Sequence, residues 1–160
     1  MKKKIPVVHN IHHKDATKVH PILRQYLGYC LIKNANIVKF RLDQAFHAMD
    51  MATPHLGILT VLEAEDAINQ NKLGDELGID KASMVKLLDQ LEKLKLVQRV
   101  GCKKDRRVKY IQITTAGKSK LKVARKIAQE HEDLFLAPLN KQEKALIKTM
   151  LNRLLISDQS

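Results

Sequence analysis

From Leu23 onward, apolar residues return at three- and four-residue steps: Leu23, Leu27, Cys30, Leu31, Ile37, Val38, Leu42, Ala45, Phe46 and Met49. That spacing lays one stripe along a single long amphipathic helix over about 21–50. Thr53-Pro54 predicts the next start, an N-cap followed by proline at the first helical position. A second helix over 54–66 then carries Leu56, Leu59, Thr60 and Leu62. Gln70 to Leu77 reads as a short helix stopped by Gly78, and Asp80 caps a further one over 81–95. The buried stripe of that helix is Met84, Leu87, Leu88, Leu91 and Leu94. The period then changes. Val97 to Val100 and Val108 to Ile113 read as strands, joined by Gly101-Cys102-Lys103-Lys104-Asp105-Arg106-Arg107 as a hairpin with a basic tip. Thr114 or Thr115 caps another helix that runs to Pro138, and Asn140 with Glu143 stands at capping-box spacing before the last one. There Leu146-Ile147, Met150-Leu151 and Leu154-Leu155 form an apolar stripe of double width. Residues 1–20 show no periodicity and read as a basic tail holding His9, His12, His13 and His20.

Composition narrows the class. The 160 residues suit one ordinary domain. Hydrophobic residues reach 44% but aromatics only 4%, so the core is aliphatic and the fold is mostly α with a small β-hairpin. No window approaches the roughly 18 apolar residues of a membrane span. The apolar run after Lys2-Lys3-Lys4 is too short for a secretory signal. Cys30 and Cys102 are far apart and in no metal spacing, which fits a reducing, cytoplasmic setting.

Charge adds the partner. Lys and Arg number 29 against 17 Asp and Glu, a formal +12, which attracts polyanions: DNA, RNA or an acidic membrane face. Lysine dominates, and it is a hydrated point charge suited to phosphate. The two short helices joined by Gly78-Ile79-Asp80 form a helix-turn-helix, whose second helix enters the major groove, and the hairpin behind it supplies a wing. Opposite the buried stripe, the second helix presents Ala82, Val85, Lys86, Asp89 and Lys93, flanked by Lys81 and Ser83 at its positive N-terminal end. Lys86 reaches a phosphate or a guanine edge. Val85 is either a partner for a thymine methyl or an incidental exposed residue. At the wing, Lys103, Lys104, Arg106, Arg107 and Lys109 surround one acid, Asp105, which pairs with an arginine and aims it at a narrow minor groove.

Leu73-Gly74-Asp75-Glu76-Leu77-Gly78-Ile79-Asp80-Lys81, Leu87-Leu88-Asp89-Gln90-Leu91-Glu92, Leu96-Val97-Gln98-Arg99, Asp105-Arg106-Arg107 and Ile113-Thr114-Thr115-Ala116-Gly117 follow one another in this order. Together they resemble the MarR family of bacterial regulators over about residues 21–155. The resemblance implies a winged helix-turn-helix over 53–117 between dimerisation helices at 21–50 and 118–155. It further implies a homodimer on double-stranded DNA, a wing arginine at Arg107 oriented by Asp105, and transcriptional regulation, with repression released by a small-molecule effector. The family often carries glycine where this chain has Lys95. A twofold pair of recognition helices also predicts a palindromic site.

Other chemistry is thinner. An effector crevice by resemblance would draw on Tyr26, Tyr29, His47 and His55, although helix-face aromatics and histidines are usually core or surface. Cys30 suits a redox sensor or an inert buried thiol, and Cys102 stands by the wing. His9, His12 and His13 lack a fixed acid or thiol partner, so neither a metal nor another cofactor is expected. No Gly-rich phosphate loop, HExxH or GxSxG occurs, which argues against an enzyme. The competing function is a winged-helix module that binds nucleic acid without sequence choice, or binds another protein.

Overall fold

The computed structural model describes residues 18–65, 67–101 and 109–157. The chain divides into two compact units, Met1–Arg41 and Leu42–Ser160.

Among the described residues of the first unit, a 3-10 turn at Pro21–Gln25 precedes α1, which runs Leu27–Phe46 and continues into the second unit. The long helix predicted from Leu23 therefore begins later. Pro21 opens the 3-10 turn, and Tyr26 is extended (φ −96°, ψ 108°), so the backbone cannot be helical through that point.

The second unit holds the core. After α1 a 3-10 turn, His47–Met49, leads through Asp50 in the left-handed region (φ 54°) to α2, Thr53–Ala64. Thr53 is not the cap. Its N–H and hydroxyl both donate to Asp43 Oδ1, each at 2.7 Å, which ties the start of α2 to the end of α1. Ile58, Leu59 and Leu62 are the buried apolar positions of α2, whereas Thr60 faces solvent.

Next come β1 (Ile68–Asn69), α3 (Gln70–Leu77) and α4 (Lys81–Lys93). Asn69 Oδ1 accepts from Lys72 N–H at 2.9 Å and caps α3. Asp80 Oδ1 accepts from Ser83 N–H at 3.0 Å and caps α4. Gly78 turns the chain between the two helices at φ 60°, a conformation that favours glycine. α4 stops two residues short of the predicted Lys95, because Lys95 itself sits in the left-handed region at φ 59°. A glycine there would adopt this backbone without steric cost.

β2 (Val97–Gly101) and β3 (Lys109–Ile113) pair antiparallel, Val97 opposite Ile113 and Gly101 opposite Lys109. The sheet has three strands in the order β1-β3-β2, with Ile68 opposite Ile111. β1 escapes a pattern-based reading because two residues carry no alternation. Thr114 caps α5 (Thr115–Phe135) by accepting from Gly117 N–H at 3.0 Å. α6 spans Lys141–Ser157. Its capping box is formed: Asn140 Oδ1 accepts from Glu143 N–H at 3.0 Å, and Glu143 Oε2 accepts from Asn140 N–H at 2.8 Å.

One apolar cluster joins these elements, with Phe46, Ile58, Leu62, Ile68, Leu73, Met84, Leu88, Leu91, Ile111 and Leu121 all buried. It fixes α3 and α4 against α2 and the sheet. α6 contributes nothing to it; its apolar residues stand open, from Ile147 at 36% to Leu155 at 67% exposed.

Candidate nucleic-acid interface

Everything that binds α4 into the core lies on one side of it. Met84, Leu88 and Leu91 are sealed in, and Gln90 Oε1 meets His55 Nε2 at 3.0 Å. On the opposite side Lys81, Ala82, Lys86, Asp89 and Lys93 are exposed, and Val85 is 37% exposed. Ser83 is half-buried. Of the positions expected to meet DNA on α4, all but Ser83 thus share an open surface.

The N-terminal end of that surface carries a fixed acid. Hydrogen bonds from Ser83, foremost, hold the Asp80 carboxyl below the usual carboxylate range. Beside it, Gln70 and Asn71 at the start of α3 line a shallow hollow with Asp75 and Lys81. Neither stands out in the sequence, since a short polar helix start gives no signal beyond its cap.

At the other end, Arg99 of β2 reaches back to α4. Its Nη2 donates to Asp89 Oδ1 at 2.6 Å, and its Nη1 donates to Glu92 Oε2. Helix and strand periodicity pass over this residue too, though a signal exists. Val97 is buried and Gln98 exposed, so strand alternation turns Arg99 to the same side as Val97, and an arginine there needs a carboxylate partner.

Lys109 is the first residue of β3 and is exposed. Lys103, Lys104, Asp105, Arg106 and Arg107, together with Cys102, lie outside the described residues, as do His9, His12 and His13. Among the described residues no group of three or more His, Cys, Asp or Glu is arranged to hold a metal ion.

The residues weighed for an effector are placed as follows. Tyr26 is exposed ahead of α1, and His47 is exposed in the turn behind it. Tyr29 is half-buried and lines a hollow in the first unit with Arg24, Cys30 and Lys33. The Cys30 thiol is half-buried and donates to the Arg24 carbonyl at 3.4 Å.

His55 has a different job. It is buried on α2, its Nδ1 accepts from Ala52 N–H at 3.0 Å, and its Nε2 donates to Gln90. Both ring nitrogens are engaged, so the ring ties the start of α2 to α4. Burial pushes its pKa down, against the smaller raising effects of the Gln90 hydrogen bond and the Asp43 charge. Because the folded protein disfavours the charged ring, the unfolded chain takes up the proton first as pH falls. Stability is therefore full above the ordinary value of about 6.5 and declines as pH drops below it. Urea unfolding at pH 7.5 and pH 5 is expected to give a lower midpoint at the acid value. His55→Gln is expected to shrink that difference, and an unchanged difference would assign it to other groups.

Among the described residues no helix is long and apolar enough to cross a membrane. The sequence model of the MarR family matches residues 49–108, from the end of the turn behind α1 into the hairpin. An HTH-type transcriptional regulator of Bacillus subtilis (strain 168), itself uncharacterised, is 28% identical over 99 residues, covering 62% of this chain. The match spans 60% of the length of that relative. Among solved structures, the transcriptional repressor CouR bound to a 23-mer DNA duplex is 26% identical, with a TM-score of 0.78 over 87% of this chain and 99% of that one. The S. aureus MepR–DNA complex is also 26% identical, with a TM-score of 0.72 over 82% of this chain and 98% of that one. The MarR-family match is thus seated on the helix-turn-helix, and along most of its length the chain is similar in fold to proteins solved on DNA, one of them a transcriptional repressor.

Proposed function

We propose that the chain is a sequence-specific DNA-binding regulator that acts as a homodimer on a palindromic operator, as a repressor released by a small-molecule effector. The observation that carries this reading is the open side of α4, where Lys81, Val85 and Lys86 stand clear of the core next to the root of a basic hairpin. A helix anchored on one side and basic on the other fits a major groove, and exposed Lys109 continues the charge along the hairpin. The relative solved on a 23-mer duplex supports the same partner.

The dimer has a separate support. α6 leaves Leu146, Met150, Leu151, Leu154 and Leu155 open to water, a surface that an isolated chain would not keep. A twofold pair sets the recognition helices about one DNA turn apart, roughly 10–10.5 base pairs. The hollow beside Tyr29, with Arg24 and Lys33, offers positive charge to a small anionic effector. Such a regulator works in the cytoplasm, where its DNA is.

Footprinting on DNA fragments from the source genome tests the function. A short protected palindrome, bound well above mixed-sequence DNA, supports it; a steep salt slope with no protected site means a non-specific nucleic-acid binder instead. Arg107→Ala is expected to cost about 1–3 kcal/mol of operator binding while the dimer persists. Gel-shift titration with light scattering reads both, and unchanged affinity would remove Arg107 from the interface.

A further inference from the structure

The open side of α4 holds an anomaly: a surface meant for a polyanion includes Asp89, with Glu92 three residues on. Two carboxylates next to phosphates are repulsive, and like-charge juxtaposition at an interface is costly. Both are gathered by one side chain, Arg99, which comes from β2 rather than from α4 and is itself only 22% exposed. A guanidinium is suited to this because its planar fork serves two carboxylates at once, which an ammonium does less well.

We propose that Arg99 is a positioning residue for DNA binding: it masks the Asp89 and Glu92 charges on the recognition helix and, through the same hydrogen bonds, locks the first wing strand to that helix. The inference rests on the DNA-binding reading above and adds to it a residue that need not touch DNA. Masking matters most at Asp89, whose side chain is 57% exposed on the face that also carries Val85 and Lys86. Locking follows from the connection. Among the described residues β2 is an edge strand, paired only with β3, so the two hydrogen bonds of Arg99 are a direct side-chain tie between the hairpin root and α4. Helix and hairpin are then set at one spacing before either meets a groove.

The test is a charge-rescue series on the full chain, titrated against the fragment it protects in the footprint and against a mixed-sequence duplex of equal length. Arg99→Gln is expected to weaken binding to both duplexes by roughly tenfold or more. Adding Asp89→Asn and Glu92→Gln to it is expected to recover most of that loss, because the repulsion is gone and the neutral amides can still hydrogen-bond between strand and helix. With Arg99 intact, the Asp89→Asn/Glu92→Gln pair is expected to bind at least as tightly as the wild type. A contact of Arg99 with phosphate predicts the opposite, namely loss without rescue. Either unchanged binding by Arg99→Gln or failure of the rescue overturns the proposal. Weaker binding by the acid-neutralised pair, by roughly tenfold, does so as well, since it would make Asp89 or Glu92 a base contact. If Arg99→Gln does not fold, as judged by circular dichroism, the acid-neutralised pair still decides. A wild-type chain with no affinity for either duplex would instead remove the DNA-binding reading itself.

Discussion

Leu151→Glu/Leu154→Glu is expected to be a folded monomer that has lost its operator. The reason starts from exposure. Both leucines lie on α6 outside the apolar core, so in a single chain the glutamates meet water and cost the fold little. Two like charges at three-residue spacing weaken an isolated helix by only a few tenths of a kcal/mol, about 0.2–0.5. Across a twofold interface the same change buries four carboxylates with no partner, which no dimer of ordinary strength survives. DNA binding then falls further than any single DNA contact explains. Two linked helix-turn-helix units gain roughly 10²–10⁴ in avidity over one, and the monomer forfeits it. Light scattering at micromolar concentration and operator titration give the answer. A variant that remains dimeric would move the interface off α6.

Gly117→Ala carries the largest expected effect on stability. A Cβ at this position would lie 2.1 Å from the Leu96 carbonyl oxygen and 2.7 Å from Ile113 Cγ1. Neither neighbour can retreat cheaply. The Leu96 carbonyl accepts from Thr114 N–H at 3.0 Å and from the Thr114 hydroxyl at 3.1 Å, so moving it undoes the joint between β2 and α5. Overpacking against a fixed backbone is expected to cost about 3 kcal/mol or more. For a chain of this size that lowers Tm by roughly 6–12 °C, readable by calorimetry. A Tm within a degree or two of the wild type would mean that the joint has slack. The Thr-Thr-Ala-Gly run that carries part of the family resemblance is thus a structural lock. Thr114 closes the sheet and caps α5, and Gly117 lets the helix seat against the strand.

Much of this is legible in the residues because local rules and tertiary packing agree. Asp80, Gly78 and the Asn140–Glu143 pair carry their caps in their own residue types, and the α4 stripe has a clean helical period. Where sequence and structure part, the cause is long-range. Thr53 looks like an N-cap, but Asp43, ten residues upstream, takes its hydroxyl. Lys95 is a good helix former, but the chain must turn there to bring Leu96 under Gly117. Strand alternation marks Arg99 as an arginine that needs a carboxylate, but Asp89 and Glu92 lie on a different element, and spacing alone does not name them as its partners. His55 resembles an effector ligand because the ring is polar and near a helix start. Its engagement with both Ala52 and Gln90 depends on how α2 crosses α4.

That crossing has a practical consequence. A single imidazole touches the backbone at the start of α2 and a side chain of α4, the helix proposed to read DNA, so its magnetic environment registers how those two elements sit. The His55 ring nitrogen resonances form an internal gauge: whatever tilts the reading head, whether duplex or small molecule, must perturb them, and whatever leaves it still will not.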